Sequence, residues 1–83
     1  MPADRSNLDS APQGTWVEIE SVGGERSFRR RLLELGLLPG TALRRGRTAP
    51  MGDPIELEVR GARLSIRRAE AQRITVRVPS TTP

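Results

Sequence analysis

The chain has 83 residues, which is enough for one small domain. It carries 14 Lys+Arg, all of them arginine, against 10 Asp+Glu, for a net charge of +4, and it contains no His and no Cys. This composition excludes a disulfide framework and cysteine-based zinc or iron–sulfur sites, and because the usual catalytic bases and nucleophiles are missing we expect no enzyme.

The two ends of the chain differ in composition from its middle. Residues 1–13 are polar, include two prolines and show no periodicity, and residues 79–83 are similar. We predict flexible tails at 1–13 and 79–83 around a folded domain at 14–78. The sequence shows no signal-peptide pattern and no apolar stretch of about 20 residues. We therefore expect a cytoplasmic protein, at most peripheral to the inner face of the cell membrane.

A strand and then a helix are predicted in the first half of the domain. Apolar and acidic residues alternate over 16–22, as they do in a half-buried strand. The period then changes, because Phe28, Leu32 and Leu35 recur at the spacing of one helix face. Ser27 is the expected N-cap of this short helix.

The end of the predicted helix is marked by glycine and proline. Gly36 is expected in the left-handed conformation that ends many helices, with Leu37 packed back onto the helix. In Leu38–Thr41 a proline precedes a glycine, which is typical of a type II turn. The chain should therefore reverse here before the next strand.

Four more short strands are predicted after this turn. The alternation is weak in the first of them and clearest in the second, where Ile, Leu and Val alternate with glutamates. Gly61-Ala62 predicts a two-residue hairpin turn of type II′. The predicted strands are 41–47, 55–60, 63–67 and 74–78, with one helical turn at 68–72.

Five short strands with one short helix after the first strand favour a mainly β fold. Because no connection is long enough for several crossover helices, we expect the sheet to be antiparallel. About 65 ordered residues suit a small SH3-like barrel, closed or nearly closed. The predicted core consists of Val17, Ile19, Phe28, Leu32, Leu35, Leu43, Ile55, Leu57, Val59, Leu64, Ile66, Ile74 and Val76.

Three segments together carry a resemblance to a known family. They are Arg31–Thr41 (RLLELGLLPGT), Ala49–Ile55 (APMGDPI) and Val59–Arg68 (VRGARLSIRR). In this order and spacing they resemble the FeoA family of ferrous iron transport proteins, over about residues 15–78. The resemblance implies a small cytoplasmic SH3-like protein that acts with FeoB, a membrane permease for Fe²⁺ with a cytosolic GTP-binding domain.

The residues that could bind such a partner are those outside the core and the turns. The family pattern falls mainly on core and turn positions, so it describes the fold more than the function. Exposed apolar loop residues beside arginines are typical of a protein-interaction patch. No catalytic, cofactor-binding or metal-binding residue is predicted. The predicted partner-binding residues are Arg29, Arg30, Leu37, Leu38, Arg44, Arg45 and Met51.

A basic nucleic-acid-binding barrel is one alternative function. Residues 26–83 hold thirteen arginines and five acids, a net charge of +8, which favours phosphate contacts. Single-strand binders stack bases on several aromatic side chains, whereas Trp16 and Phe28 are the only aromatic residues of this chain. The composition therefore argues against nucleic acid as the main partner.

A weak transition-metal-binding module is the other alternative. Glu18 with Glu20, and Glu56 with Glu58, stand two residues apart on predicted strands. Carboxylates without imidazole or thiolate bind Fe²⁺ only weakly. We expect them instead to pair with arginines across the sheet, such as Arg63 or Arg67.

Overall fold

The computed structural model describes residues 5–78. Residues 1–4 of the tail predicted at 1–13, and the whole tail predicted at 79–83, lie outside the described residues. Strands, two α-helices and a 3₁₀ turn follow one another along this range. Helix α1 spans Arg26–Glu34, helix α2 spans Arg68–Ala71, and the 3₁₀ turn spans Leu8–Ser10. The strands are β1 (Arg5–Asn7), β2 (Trp16–Val22), β3 (Ala42–Thr48), β4 (Ile55–Val59), β5 (Ala62–Ile66) and β6 (Ile74–Arg77).

These six strands form one antiparallel sheet in the order β1-β6-β2-β3-β4-β5. The predicted mainly β fold, with a short helix after the strand at 16–22, is confirmed. The sheet has one strand more than predicted, and within residues 5–78 its edge strands β1 and β5 do not pair with each other. The sheet is therefore open, whereas we predicted a closed or nearly closed barrel.

The additional strand lies in the segment predicted as a flexible tail. Arg5–Asn7 pairs with β6, and Asn7 caps the following 3₁₀ turn by accepting a hydrogen bond from the Ser10 N–H at 2.9 Å. Leu8 and Ala11 are buried in the core. The folded part therefore begins before residue 14. The sequence did not reveal this, because a three-residue strand and a single turn are too short to show periodicity.

Helix α1 packs against the sheet through Phe28 and Leu32. Its N-cap is Glu25, without a side-chain cap hydrogen bond, so the prediction of Ser27 as N-cap is wrong. The helix ends one residue before Leu35, which is 45% exposed rather than in the predicted core. Leu37 takes the buried position instead.

The β4–β5 hairpin has a different turn from the predicted one. Val59 pairs with Ala62, so the two loop residues are Arg60 and Gly61, not Gly61 and Ala62. Both have positive φ, 52° and 81°, as a type I′ turn requires. Glycine meets this requirement at one position, and arginine adopts the left-handed conformation at the other.

The core is one cluster of buried side chains that come from the strands, from α1 and α2 and from the N-terminal segment. The predicted core residues are buried except Leu35, which is exposed, and Leu64, which is partly buried against the cluster. Four further apolar side chains complete the core: Leu8, Ala11, Leu37 and Ala71.

Candidate partner-binding surface

The seven predicted partner-binding residues do not form one patch. Leu37 is fully buried and packs in the core beneath the surface, while Leu38 beside it is 39% exposed. Met51, at the tip of the β3–β4 loop, is 91% exposed. The arginines divide between two elements, with Arg29 and Arg30 on α1 and Arg44 and Arg45 on β3.

One side of α1 borders an apolar groove of about 510 Å³. Arg26, Arg29, Arg30 and Leu33 recur at i, i+3, i+4 and i+7, so they lie along a single face of the helix. We call this face the α1 ridge. The groove is lined by Val22, Arg26, Arg29, Arg30, Leu33, Leu37 and Pro39.

The opposite wall of the groove is fixed by the way α1 ends. Gly36 has a φ of 88°, and its N–H donates to the Leu33 carbonyl at 2.9 Å. The Leu37 N–H donates to the Leu32 carbonyl at 2.8 Å. This pair of bonds is a Schellman motif, which satisfies the last carbonyls of the helix and turns Leu37 into the core. The predicted left-handed role of Gly36 is confirmed.

The type II turn after Leu37 is also confirmed, and it places Pro39 at the groove. The Thr41 N–H donates to the Leu38 carbonyl at 3.0 Å, and Gly40 has a φ of 91°. The Gly40 N–H donates to the Ile19 carbonyl at 2.7 Å, which ties the turn to β2. The turn that carries Pro39 is therefore held to the sheet by a backbone hydrogen bond.

The α1 ridge is strongly positive. Within residues 5–78 its three arginines take part in none of the ion pairs. The first turn of the helix holds Arg26 and no acidic residue, although the N-terminus of a helix is the positive end of its dipole. Unpaired cations beside an apolar groove suit an anionic, partly apolar ligand.

The β3 arginines lie in a second groove, of about 410 Å³, and are tied to other side chains. Arg44 forms an ion pair with Glu58 and lies over the Trp16 ring, with its Cζ 5.0 Å from the centroid. Arg45 donates through Nη2 to the Thr48 Oγ1 at 3.0 Å. These two predicted binding residues therefore belong to the internal bonding of the sheet.

A third group of charges joins the N-terminal segment to α2. Arg68 donates to the Asp9 carboxylate through Nε at 2.9 Å, and Gln72 donates to the same carboxylate at 3.2 Å. The hydrogen bond from Arg68 holds the pKa of Asp9 below its usual value. Burial alone would raise the pKa of Glu70, but the hydrogen bond from Arg31 helps to hold that pKa below its usual value.

Comparison with known proteins assigns the family. The family model for the FeoA domain matches residues 6–78. The chain belongs to the FeoA domain family. This confirms the resemblance found in the sequence, and the match includes most of the β1 segment that we predicted as a tail.

Relatives of this FeoA-domain chain include both fused and free-standing proteins. The Fe(2+) transport protein A/Fe(2+) transporter FeoB fusion protein of Porphyromonas gingivalis is 32% identical over 76 residues, covering 92% of this chain and 9% of the fusion protein. The solution structure of the FeoA protein from Chlorobium tepidum is 44% identical, with a TM-score of 0.81 over 87% of this chain and 69% of that one. This chain thus spans only a small part of the fusion protein.

A zinc complex of Stenotrophomonas maltophilia FeoA, described as an SH3 domain protein, is 32% identical, with a TM-score of 0.72 over 84% of this chain and 87% of that one. The predicted SH3-like fold is thus confirmed. In this FeoA domain, three of the four candidate metal-binding carboxylates pair with arginines: Glu18 with Arg77, Glu20 with Arg5 and Glu58 with Arg44. Pairing across the sheet was expected, but within residues 5–78 the partners are these arginines and not Arg63 or Arg67. Residues 5–78 contain no group of three or more His, Cys, Asp and Glu side chains placed to hold a metal ion.

Two members of the α1 ridge were missed in the sequence. Arg26 and Leu33 flank the predicted arginines at helical spacing, so the i, i+3, i+4, i+7 pattern could have revealed the α1 ridge. Our prediction used that spacing only for the apolar stripe. Within the part of this FeoA domain that the structure describes, neither helix has the length and apolarity that crossing a membrane would require.

Proposed function

We propose that this chain is a non-enzymatic accessory or regulatory protein of ferrous iron transport that binds the cytosolic side of a FeoB-type permease with a GTP-binding domain. The observation that carries the proposal is the Porphyromonas gingivalis relative, in which an Fe(2+) transport protein A region and an FeoB transporter form one polypeptide. Fusion raises the effective concentration of one domain at the other. Fusion of two domains is therefore expected where the separate proteins would bind each other.

The surface of the chain agrees with a binding role. A concave apolar groove beside a positive helix face suits a protein partner better than a reaction, because no base or nucleophile lines it. The sequence also lacks His and Cys, two of the side chains that most often act as base or nucleophile. The proposal accordingly assigns GTP hydrolysis and ion movement to the permease, with this chain at the cytoplasmic side of the membrane.

Binding to the permease can be measured directly. The cytosolic region of FeoB from the same organism should bind this protein in a saturable manner by isothermal titration calorimetry at physiological salt. Both proteins are treated with nuclease first, because a basic chain retains nucleic acid through charge alone. Absence of binding at micromolar concentrations, with both the cytosolic region and the whole permease in detergent, would refute the proposal. Recovery of nucleic acid as the only ligand would favour the basic-barrel alternative.

A further inference from the structure

We infer that the groove beside the α1 ridge binds an acidic amphipathic helix of the partner, with an apolar side chain in the groove and carboxylates against Arg26, Arg29 and Arg30. The inference rests on the proposed function and adds to it the chemistry of the partner segment. It also names one face of this protein as the contact.

The shape of the groove favours an inserted side chain. Val22 and Pro39 give it an apolar lining above the buried Leu37, and Leu33, which is 52% exposed, forms its edge on α1. An exposed leucine next to a concave apolar surface is stabilised when a second apolar side chain covers both. Amphipathic helices bind grooves in this way, through apolar residues that recur on one face.

The charges decide which amphipathic helix fits. The described lining of the groove includes three arginines and no carboxylate. Arg26 and Arg30 are four residues apart, or about 6 Å along the helix axis. Carboxylates one turn apart on a partner helix have the same spacing, so each can face one arginine while the apolar residue between them enters the groove.

The position of Arg26 in the first helical turn supports an anionic partner independently. A cation there opposes the helix dipole, and the first turn itself holds no acidic residue; the adjacent carboxylate is that of Glu25 at the N-cap, which makes no side-chain cap hydrogen bond. Carboxylates of a partner would offset the positive end of the helix and the arginine charges together. A flat bilayer would supply the anions, but it would not fill a concave groove.

Two double variants with the same change in charge test the inference. Arg29→Glu/Arg30→Glu reverses the α1 ridge, and Arg47→Glu/Arg63→Glu reverses two exposed arginines that line the other groove. Within residues 5–78 none of these four arginines belongs to an ion pair, so the Arg29/Arg30 variant should melt like the wild type. Arg63 lies opposite Glu58 in the β4–β5 register, so the Arg47/Arg63 variant should melt slightly below the wild type, and binding is compared at a temperature at which all three proteins are folded.

The probe is a synthetic, fluorophore-labelled amphipathic peptide with a leucine stripe flanked by glutamates, measured by fluorescence anisotropy. A second peptide has lysines in place of the glutamates. The wild type and the Arg47/Arg63 variant should bind the acidic peptide alike, while the Arg29/Arg30 variant should bind about tenfold more weakly. The lysine peptide should also bind the wild type about tenfold more weakly. Equal binding of the acidic peptide by all three proteins would overturn the inference.

Two further measurements separate this inference from the proposed function. If the FeoB cytosolic region binds the wild type and both double variants equally, the permease is the partner but the α1 ridge is not the contact. If it binds none of them, the proposed function fails, and the peptide still tests the groove. The wild type and the Arg29/Arg30 variant are also tested for binding to vesicles of phosphatidylcholine and phosphatidylglycerol. If only the wild type binds these vesicles, and the acidic peptide does not bind, the ligand of the α1 ridge is an anionic lipid surface and the inference is wrong.

Discussion

Two strand arginines, Arg44 and Arg77, differ from the arginines of the α1 ridge in what surrounds them. Arg77 lies opposite Glu18 in the β2–β6 register and pairs with it, and Arg44 lies opposite Glu58 in the β3–β4 register and pairs with it. Such cross-strand pairs contribute to the sheet and compensate their own charge. The arginines of the α1 ridge have no such partners within residues 5–78.

This difference separates arginines whose charge is used within the fold from arginines whose charge can bind another molecule. In a chain whose cations are all arginine, net charge alone does not indicate where a partner binds. The paired arginines account for local stability, whereas the unpaired ones beside an apolar groove remain free to bind another molecule. The comparison therefore predicts that changes beneath the ridge or in paired groups alter stability, and that changes on the ridge itself alter binding.

The largest expected effect comes from two neighbouring leucines of α1. Leu32 is fully buried, and Leu33 is 52% exposed at the groove. Leu32→Ala should lower the free energy of unfolding by about 2–5 kcal/mol, because it leaves a cavity between the helix and the sheet. Leu33→Ala should change it by about 0.5 kcal/mol or less, yet weaken binding of the acidic peptide. Urea unfolding measures the free energy of unfolding of both variants. A large loss of stability in Leu33→Ala would show that Leu33 acts in the core and not at the groove.

The second prediction concerns the paired carboxylate of Asp9. Asp9→Asn should cost about 1–3 kcal/mol at neutral pH, because the hydrogen bonds from Arg68 and Gln72 lose their charged acceptor. The pKa of Asp9 is lowered in the folded state from its usual 3.8, so this stabilisation is present above that pH and is lost as the pH falls through the lower folded value.

Chemical unfolding of the Asp9 variant between neutral pH and acid checks this sign. The difference between wild type and Asp9→Asn should shrink below about pH 4, because the wild-type carboxyl then becomes neutral too. Glu34→Gln is the matched control, since Glu34 is exposed and belongs to none of the ion pairs within residues 5–78. A difference that persisted unchanged in acid would mean that the charge of Asp9 does not stabilise the fold.

The sequence predicted the periodic parts of the structure and missed those that depend on distant contacts. The strands at 16–22 and 55–60 and the helix were found because each repeats its pattern over several residues. The segment at 5–11 could not be found in this way. Its only strand is three residues long, and its folding depends on pairing with β6 at the far end of the chain.

Leu35 and Leu37 show the same limit within the candidate site. Leu35 continues the helical spacing of the buried residues, but the helix ends before it and the Schellman motif brings Leu37 into the core. The separation of Arg44 from the α1 ridge likewise could not be predicted, because its partners Glu58 and Trp16 come from other strands. The charge composition predicted that arginines take part in partner binding. The fold shows which arginines form no ion pair within residues 5–78.

The third prediction concerns Gly36, which positions one wall of the groove. Its φ of 88° is strained for any other residue, although no atom lies within 4 Å of an added Cβ. Gly36→Ala should therefore cost about 1–2 kcal/mol through backbone strain alone. Ser65→Ala, at an exposed strand position, is a control for handling and should melt like the wild type. A neutral Gly36→Ala would show that the helix end can relax without the left-handed residue.

The smallest expected effect on stability distinguishes the two groups of arginines most sharply, because its sign is opposite to the others. Arg26→Glu puts a carboxylate in the first turn of α1, where it interacts favourably with the helix dipole and with Arg30 one turn later. It should raise the free energy of unfolding by about 0.3–1 kcal/mol at low salt, and much less near 1 M salt, where such charges are screened.

The same substitution should weaken binding of the acidic peptide, since it replaces one of three unpaired cations with an anion. A paired arginine cannot behave in this way: Arg77→Glu would place two carboxylates opposite each other at Glu18 and lower stability. If Arg26→Glu proved both less stable and unimpaired in binding, the α1 ridge would be ordinary structural charge. If it proves more stable and weaker in binding, the chain retains a cation at the positive end of a helix at a cost in stability, and an anionic partner is the physical reason for it.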